Sequence, residues 1–110
     1  MFMAENERNV SDEEKKIIIS IVSEDKLRCA ILEELYNSDS FVRTSDIYER
    51  VEEKLGGSGR TQSYYLKLLR NLERGGLVRG VKSEIDRKNL YWSITKLGRE
   101  VVEEIFQSRQ

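Results

Sequence analysis

The chain has 110 residues, of which 38% are apolar, enough for one domain around a single modest core. One Cys and no His exclude an internal disulfide framework and a zinc site of the usual Cys/His kind, and no apolar run approaches the roughly 18 residues of a membrane span. The formal net charge of -1 conceals an asymmetry. Residues 1–57 carry 8 basic and 14 acidic side chains, whereas residues 58–88 carry 8 basic against 3 acidic, so a polyanion is attracted to one face only.

Residues 1–10 are polar and read as a flexible N-terminus without the basic-then-apolar layout of a secretory signal, so a cytoplasmic protein is expected. Ser11-Asp-Glu-Glu14 fits a capping box opening a helix over 11–24. Ile17, Ile18, Ile21 and Val22 fall on one face of it and Ile19 does not. A second helix is expected from about Glu24 to Tyr36, with Leu27, Ile31 and Leu35 in one stripe and Ala30 beside them. Cys29 lies among Leu27, Ala30 and Leu32, the setting of a buried structural thiol, with an intersubunit redox disulfide as the alternative.

Asn37–Ser40 breaks that helix, and Phe41-Val42-Arg43 reads as a short extended piece. Thr44 is placed as the N-cap of a third helix, with Asp46 in its first turn, Ile47, Val51 and Leu55 as its stripe, and Gly56-Gly-Ser-Gly59 as its end. The next helix starts near Thr61 and stops at Gly75-Gly76. Tyr65, Leu68, Leu69 and Leu72 face inward; Gln62, Ser63, Lys67, Arg70 and Asn71 face outward. Leu77–Lys82 and Leu90–Ile94 read as antiparallel strands around a charged loop, Ser83–Asn89. Leu90, Trp92 and Ile94 alternate with period two, which makes Trp92 a core or interface residue. Thr95 caps a final helix over 96–110 whose stripe is Leu97, Val101 and Ile105, flanked by Val102 and Phe106.

The run SYYLKLLRNLERGGLVRG, followed by NLYWSITKLGREV, resembles the recognition helix, wing and following helix of winged helix-turn-helix regulators of the MarR and PadR types, including their small archaeal members. Leu69, Leu72, Gly76, Leu77 and Val78 carry the first half of the resemblance, and Tyr91 to Glu100 the second; it covers roughly residues 25–106. It implies an α+β, mostly α fold: a three-helix core with a β-hairpin wing over 25–95, plus extra N- and C-terminal helices. It also implies a homodimer on a pseudo-palindromic duplex, with helix 61–74 in the major groove and wing 83–89 on the backbone or minor groove. The connector 56–59 is longer than a strict helix-turn-helix turn.

On that expectation the DNA-binding residues are Arg60, Thr61, Gln62, Ser63, Tyr64, Lys67, Arg70, Lys82, Arg87 and Lys88. Gln62 suits bidentate pairing with adenine, Thr61 and Ser63 suit bases or phosphates, and Tyr64 suits sugar or phosphate. Lys67 and Arg70 share a face and suit phosphates; Lys82, Arg87 and Lys88 gather at the hairpin; Arg60 adds charge at the positive end of the helix. The plainer reading of each is a solvated polar face. Ile17, Ile18, Ile21 and Val22, with Val101, Val102, Ile105 and Phe106, are assigned to a dimer interface, the alternative being that both stripes pack on their own domain. The carboxylates lie near Lys or Arg on helix faces, and Gly56–Gly59 lacks the Lys of a phosphate loop. The expectation is therefore a non-enzymatic protein with no cofactor, no metal and no membrane, binding double-stranded DNA. The rival is a winged-helix protein-interaction module within a replication or transcription assembly, which the net acidity favours.

Overall fold

The computed structural model describes residues 9–109, so most of the segment expected to be flexible lies outside the described residues. Five helices and three strands follow in the order α1 (Asp12–Glu24), α2 (Lys26–Tyr36), β1 (Val42–Arg43), α3 (Thr44–Leu55), α4 (Gln62–Arg74), β2 (Val78–Lys82), β3 (Leu90–Ile94) and α5 (Lys96–Ser108). This is the mostly helical α+β architecture expected.

Local chemistry sets most of the boundaries. The Ser11 hydroxyl accepts the Glu14 amide at 3.1 Å and starts α1. Asp25 separates α1 from α2 and caps the latter, accepting the amides of Leu27 and Arg28, so α2 begins slightly later than Glu24. Thr61 and Thr95 cap α4 and α5 as their sequence contexts predict. At the end of α4, Gly76 takes φ 83°, which lets the Leu77 amide return to the Leu72 carbonyl at 3.0 Å.

Thr44 is a correction. It sits inside α3 and caps nothing; the N-cap position is Arg43, which makes no side-chain cap bond. The buried Thr44 hydroxyl accepts the Trp92 indole N–H at 2.8 Å and donates to the Leu90 carbonyl at 3.3 Å, tying α3 to β3.

The sheet is antiparallel in the order β1-β3-β2, pairing Val42 with Trp92, Val78 with Ile94 and Lys82 with Leu90. Trp92 is buried over Gly80, where an added Cβ would stand 2.7 Å from the indole. Ile31, Leu35, Ile47, Val51, Tyr65 and Leu69 complete the centre of the core.

Four residues assigned to a dimer interface belong instead to this core: Val22, Val101, Val102 and Ile105 are buried within their own chain. The reason is that α1 and α5 pack on each other and on α2, which covers both stripes. Five aliphatics within the six residues 17–22 cannot define one face of a helix. Ile18 and the unassigned Ile19 pack against the core, while Ile17 and Ile21 are left 59% and 52% exposed. Phe106 is half-buried, edge-on to Tyr36 with centroids 5.7 Å apart.

Candidate nucleic-acid interface

The connector between α3 and α4 is organised by one carboxylate. Glu52 accepts the Ser58 amide at 2.9 Å on one carboxylate oxygen, and on the other it accepts both the Ser58 hydroxyl and the Tyr65 hydroxyl of α4. These donors hold the Glu52 carboxyl below its ordinary value, and burial with the adjoining carboxylate pushes the Tyr65 phenol up. The angle that a long glycine-rich connector leaves open is thereby fixed by three side chains.

With α4 so placed, its N-terminal half and the β2–β3 hairpin enclose a groove of about 310 Å³. Gln62, Ser63 and Leu66 line it from the start of α4 and Arg70 from farther along; Lys82, Lys88, Asn89 and Leu90 come from the hairpin, and Thr44 closes the floor. Three cations and no carboxylate line it, in a chain of net charge -1. The Arg70 guanidinium lies 5.8 Å from the Trp92 ring centre and 3.6 Å from Glu73, whose other oxygen accepts the Gly80 amide at 3.2 Å. That arrangement orients Arg70 without burying its charge.

No protein-family model matches the sequence, and no curated protein matches it either. Solved structures do. Staphylococcus aureus MepR in complex with DNA superposes with a TM-score of 0.65 at 22% identity, over 88% of this chain and 77% of that one. YusO from Bacillus subtilis gives 0.67 at 19% identity, over 88% of this chain and 64% of YusO. PcaV from Streptomyces coelicolor, solved with its natural ligand, gives 0.62 at 17% identity, over 84% and 64%. The fold is that of the MarR-type winged-helix regulators.

In the winged-helix fold α3 and α4 are the consecutive helix pair, and β2 and β3 form the wing hairpin. The predicted residues divide accordingly. Gln62, Ser63, Arg70, Lys82 and Lys88 meet in the groove. Arg60, Thr61 and Tyr64 gather at the start of α4, with the Arg60 guanidinium 4.5 Å from the Tyr64 ring centre. Lys67 and Arg87 are exposed outside the groove lining, the first on α4 and the second at the wing tip. Thr44, Leu66, Asn89 and Leu90 line the groove without having been singled out. Leu66 and Asn89 carried no signal of their own, Leu90 reads only as part of a strand face, and Thr44 carried only a capping signal.

The wing tip is tied to its own strand. Asp86 accepts the Tyr91 hydroxyl at 2.6 Å and the Asn89 amide at 2.9 Å, which holds its carboxyl below the ordinary range and raises the Tyr91 phenol. The acid is spent on shaping the tip, and Arg87 and Lys88 stay exposed. Among the described residues no helix is long and apolar enough to cross a membrane, and no Cys, Asp or Glu cluster could hold a metal ion.

Proposed function

We propose that the protein binds double-stranded DNA sequence-specifically as a homodimeric transcription regulator, with α4 in the major groove and wing 83–89 on the backbone or minor groove. The observation that carries this reading is the acid-free groove in which Gln62, Ser63, Arg70, Lys82 and Lys88 converge. A similar fold solved with DNA, that of MepR, supports the same reading. A helix fits the major groove, and Gln62 and Ser63 on its first turn reach base edges while Lys67, Arg70, Lys82 and Lys88 neutralise phosphates. The local positive field accounts for DNA affinity in a chain that is acidic overall.

Dimerisation rests on the apolar surface that the fold leaves uncovered: Ile17 and Ile21 on α1, with half-buried Ile18 and Phe106. A two-fold contact there suits a pseudo-palindromic operator, and occlusion of a promoter is the simplest regulatory consequence.

The test is DNA affinity as a function of salt for wild type and for Lys67→Ala with Arg70→Ala. Each lost phosphate contact flattens the log–log slope by about one unit, so the double variant should bind more weakly with a slope shallower by about two. Unchanged affinity and slope would remove the reading. A wild-type protein that shifts no duplex even at low salt would favour the protein-interaction module.

A further inference from the structure

Ile85 stands at the wing tip with 97% of its surface in water, the most exposed large apolar side chain among the described residues. A lone surface isoleucine is ordinary; its setting here is not. The seven residues 83–89 extend beyond the last strand pair, Lys82 with Leu90, and Ile85 on this loop does not line the groove just described. Lys82 precedes it and Arg87 and Lys88 follow, all three exposed. Of the two acids at the tip, Asp86 is bonded inward to Tyr91 and Asn89, which leaves Glu84 as the exposed one.

The tip is also braced from below. The Ile85 amide donates to the Ser83 hydroxyl at 3.0 Å, and Asp86 anchors the next residue to β3. A β-branched side chain has few rotamers to lose, so presenting it on a braced turn leaves little ordering to be done on contact. A polar or small residue at this place would serve a solvated turn better.

We propose that Ile85 is a minor-groove wedge. Resting on the DNA-binding reading above, the inference is that when α4 occupies the major groove, the Ile85 side chain enters the adjacent minor groove and partly unstacks one base step. Apolar side chains used this way kink the duplex, and the kink brings more phosphate within reach of flanking cations, here Lys82, Arg87 and Lys88. Pyrimidine–purine steps unstack most readily. Ile85 is therefore a specificity-determining residue: it favours such a step at a position no polar side chain reads.

The experiment uses the full chain at low salt with two duplexes of equal length, one of alternating thymine–adenine steps and one an uninterrupted A-tract, each with 2-aminopurine replacing one adenine. Fluorescence of the 2-aminopurine rises when the base unstacks. Wild type should bind the alternating duplex more tightly than the A-tract and raise its fluorescence. Ile85→Ser should bind the alternating duplex roughly tenfold more weakly, with no rise and no preference between duplexes. Ile85→Met should retain both. Because Ile85 touches nothing in the core, all variants should keep wild-type circular dichroism and Trp92 emission. Wild-type binding without a rise, or an Ile85→Ser protein that keeps rise and preference, overturns the wedge while leaving DNA binding intact. No binding of either duplex by wild type overturns both.

Discussion

The Tyr65 hydroxyl on α4 donates to the Glu52 carboxylate on α3, and the same carboxylate receives the hydroxyl and amide of Ser58 between them. A helix pair joined through several glycines has no intrinsic angle. This junction supplies one, so that the start of α4 faces the groove with the wing.

Tyr65→Phe keeps the buried ring and deletes one donor to a charged acceptor, a bond worth more than a neutral one. Thermal unfolding followed by circular dichroism should show Tm lowered by about 5 °C. If the variant melts with the wild type, the junction does not hold the pair.

The same carboxyl gives a pH dependence. Glu52 is held below its ordinary value of 4.5, first by the Ser58 hydroxyl and then by Tyr65. A carboxyl that binds protons more weakly when folded contributes stability that is fully present above the unfolded value and is lost as pH falls through the folded one. Asp86 adds to this in the same sense from an ordinary value of 3.8. Denaturant midpoints should thus be level near neutrality and drop below about pH 4.5, and Glu52→Gln should show a shallower drop.

Gly98→Ala should destabilise although it raises helix propensity. Within α5 the exchange would ordinarily gain about 1 kcal/mol. Here the new Cβ would meet the Leu77 carbonyl oxygen at 2.2 Å and Ile94 at 2.7 Å. Forcing α5 away from the start of β2 should cost about 3 kcal/mol net, read as a lower denaturant midpoint. A variant as stable as wild type would show that α5 does not need this close approach.

What could be read in advance follows from which interactions are local. The stripe Tyr65, Leu68, Leu69, Leu72 and the caps at Thr61 and Thr95 are encoded within a turn or two of chain, and all stand as expected. The period-two face of β3 makes Trp92 a core or interface residue, and it is buried in the core. Thr44 misled because a hydroxyl before an apolar stripe has the same signature whether it caps the helix or bonds a strand, and its partner Trp92 is 48 residues away. The aliphatic run of α1 was illegible for another reason. When almost every position is apolar, periodicity is silent, and neighbouring helices decide which side is covered. The groove was half legible: its cations stood out by charge, whereas Asn89 and Leu90 became part of it only through the folding of the wing.

Cys29 should behave as an inert thiol. It is buried, and burial together with the Glu33 carboxylate 3.3 Å away pushes its pKa up to about 11, against a smaller opposing effect of Arg109. The thiolate is the reactive form. Iodoacetamide should therefore leave the native protein unmodified near neutral pH, with the rate climbing only as the pH approaches about 11. Non-reducing electrophoresis after mild oxidation should show no disulfide-linked dimer. Rapid labelling at neutral pH would restore the redox alternative.

The apolar stripes of α1 and α5 should separate by mutation. Ile17 and Ile21 face solvent, so Ile17→Glu with Ile21→Glu removes no core contact and should barely move Tm. If these residues form the dimer contact, light scattering should show the double variant at half the wild-type mass. Val101 is buried in its own chain, and Val101→Ala should instead cost about 2 kcal/mol of folding stability through the cavity it leaves, with the mass unchanged while the protein remains folded. An unchanged mass for the α1 double variant of a dimeric wild type would move the interface elsewhere. A monomeric wild type would leave the exposed isoleucines without a two-fold partner and remove the dimer from the proposed mode of DNA binding.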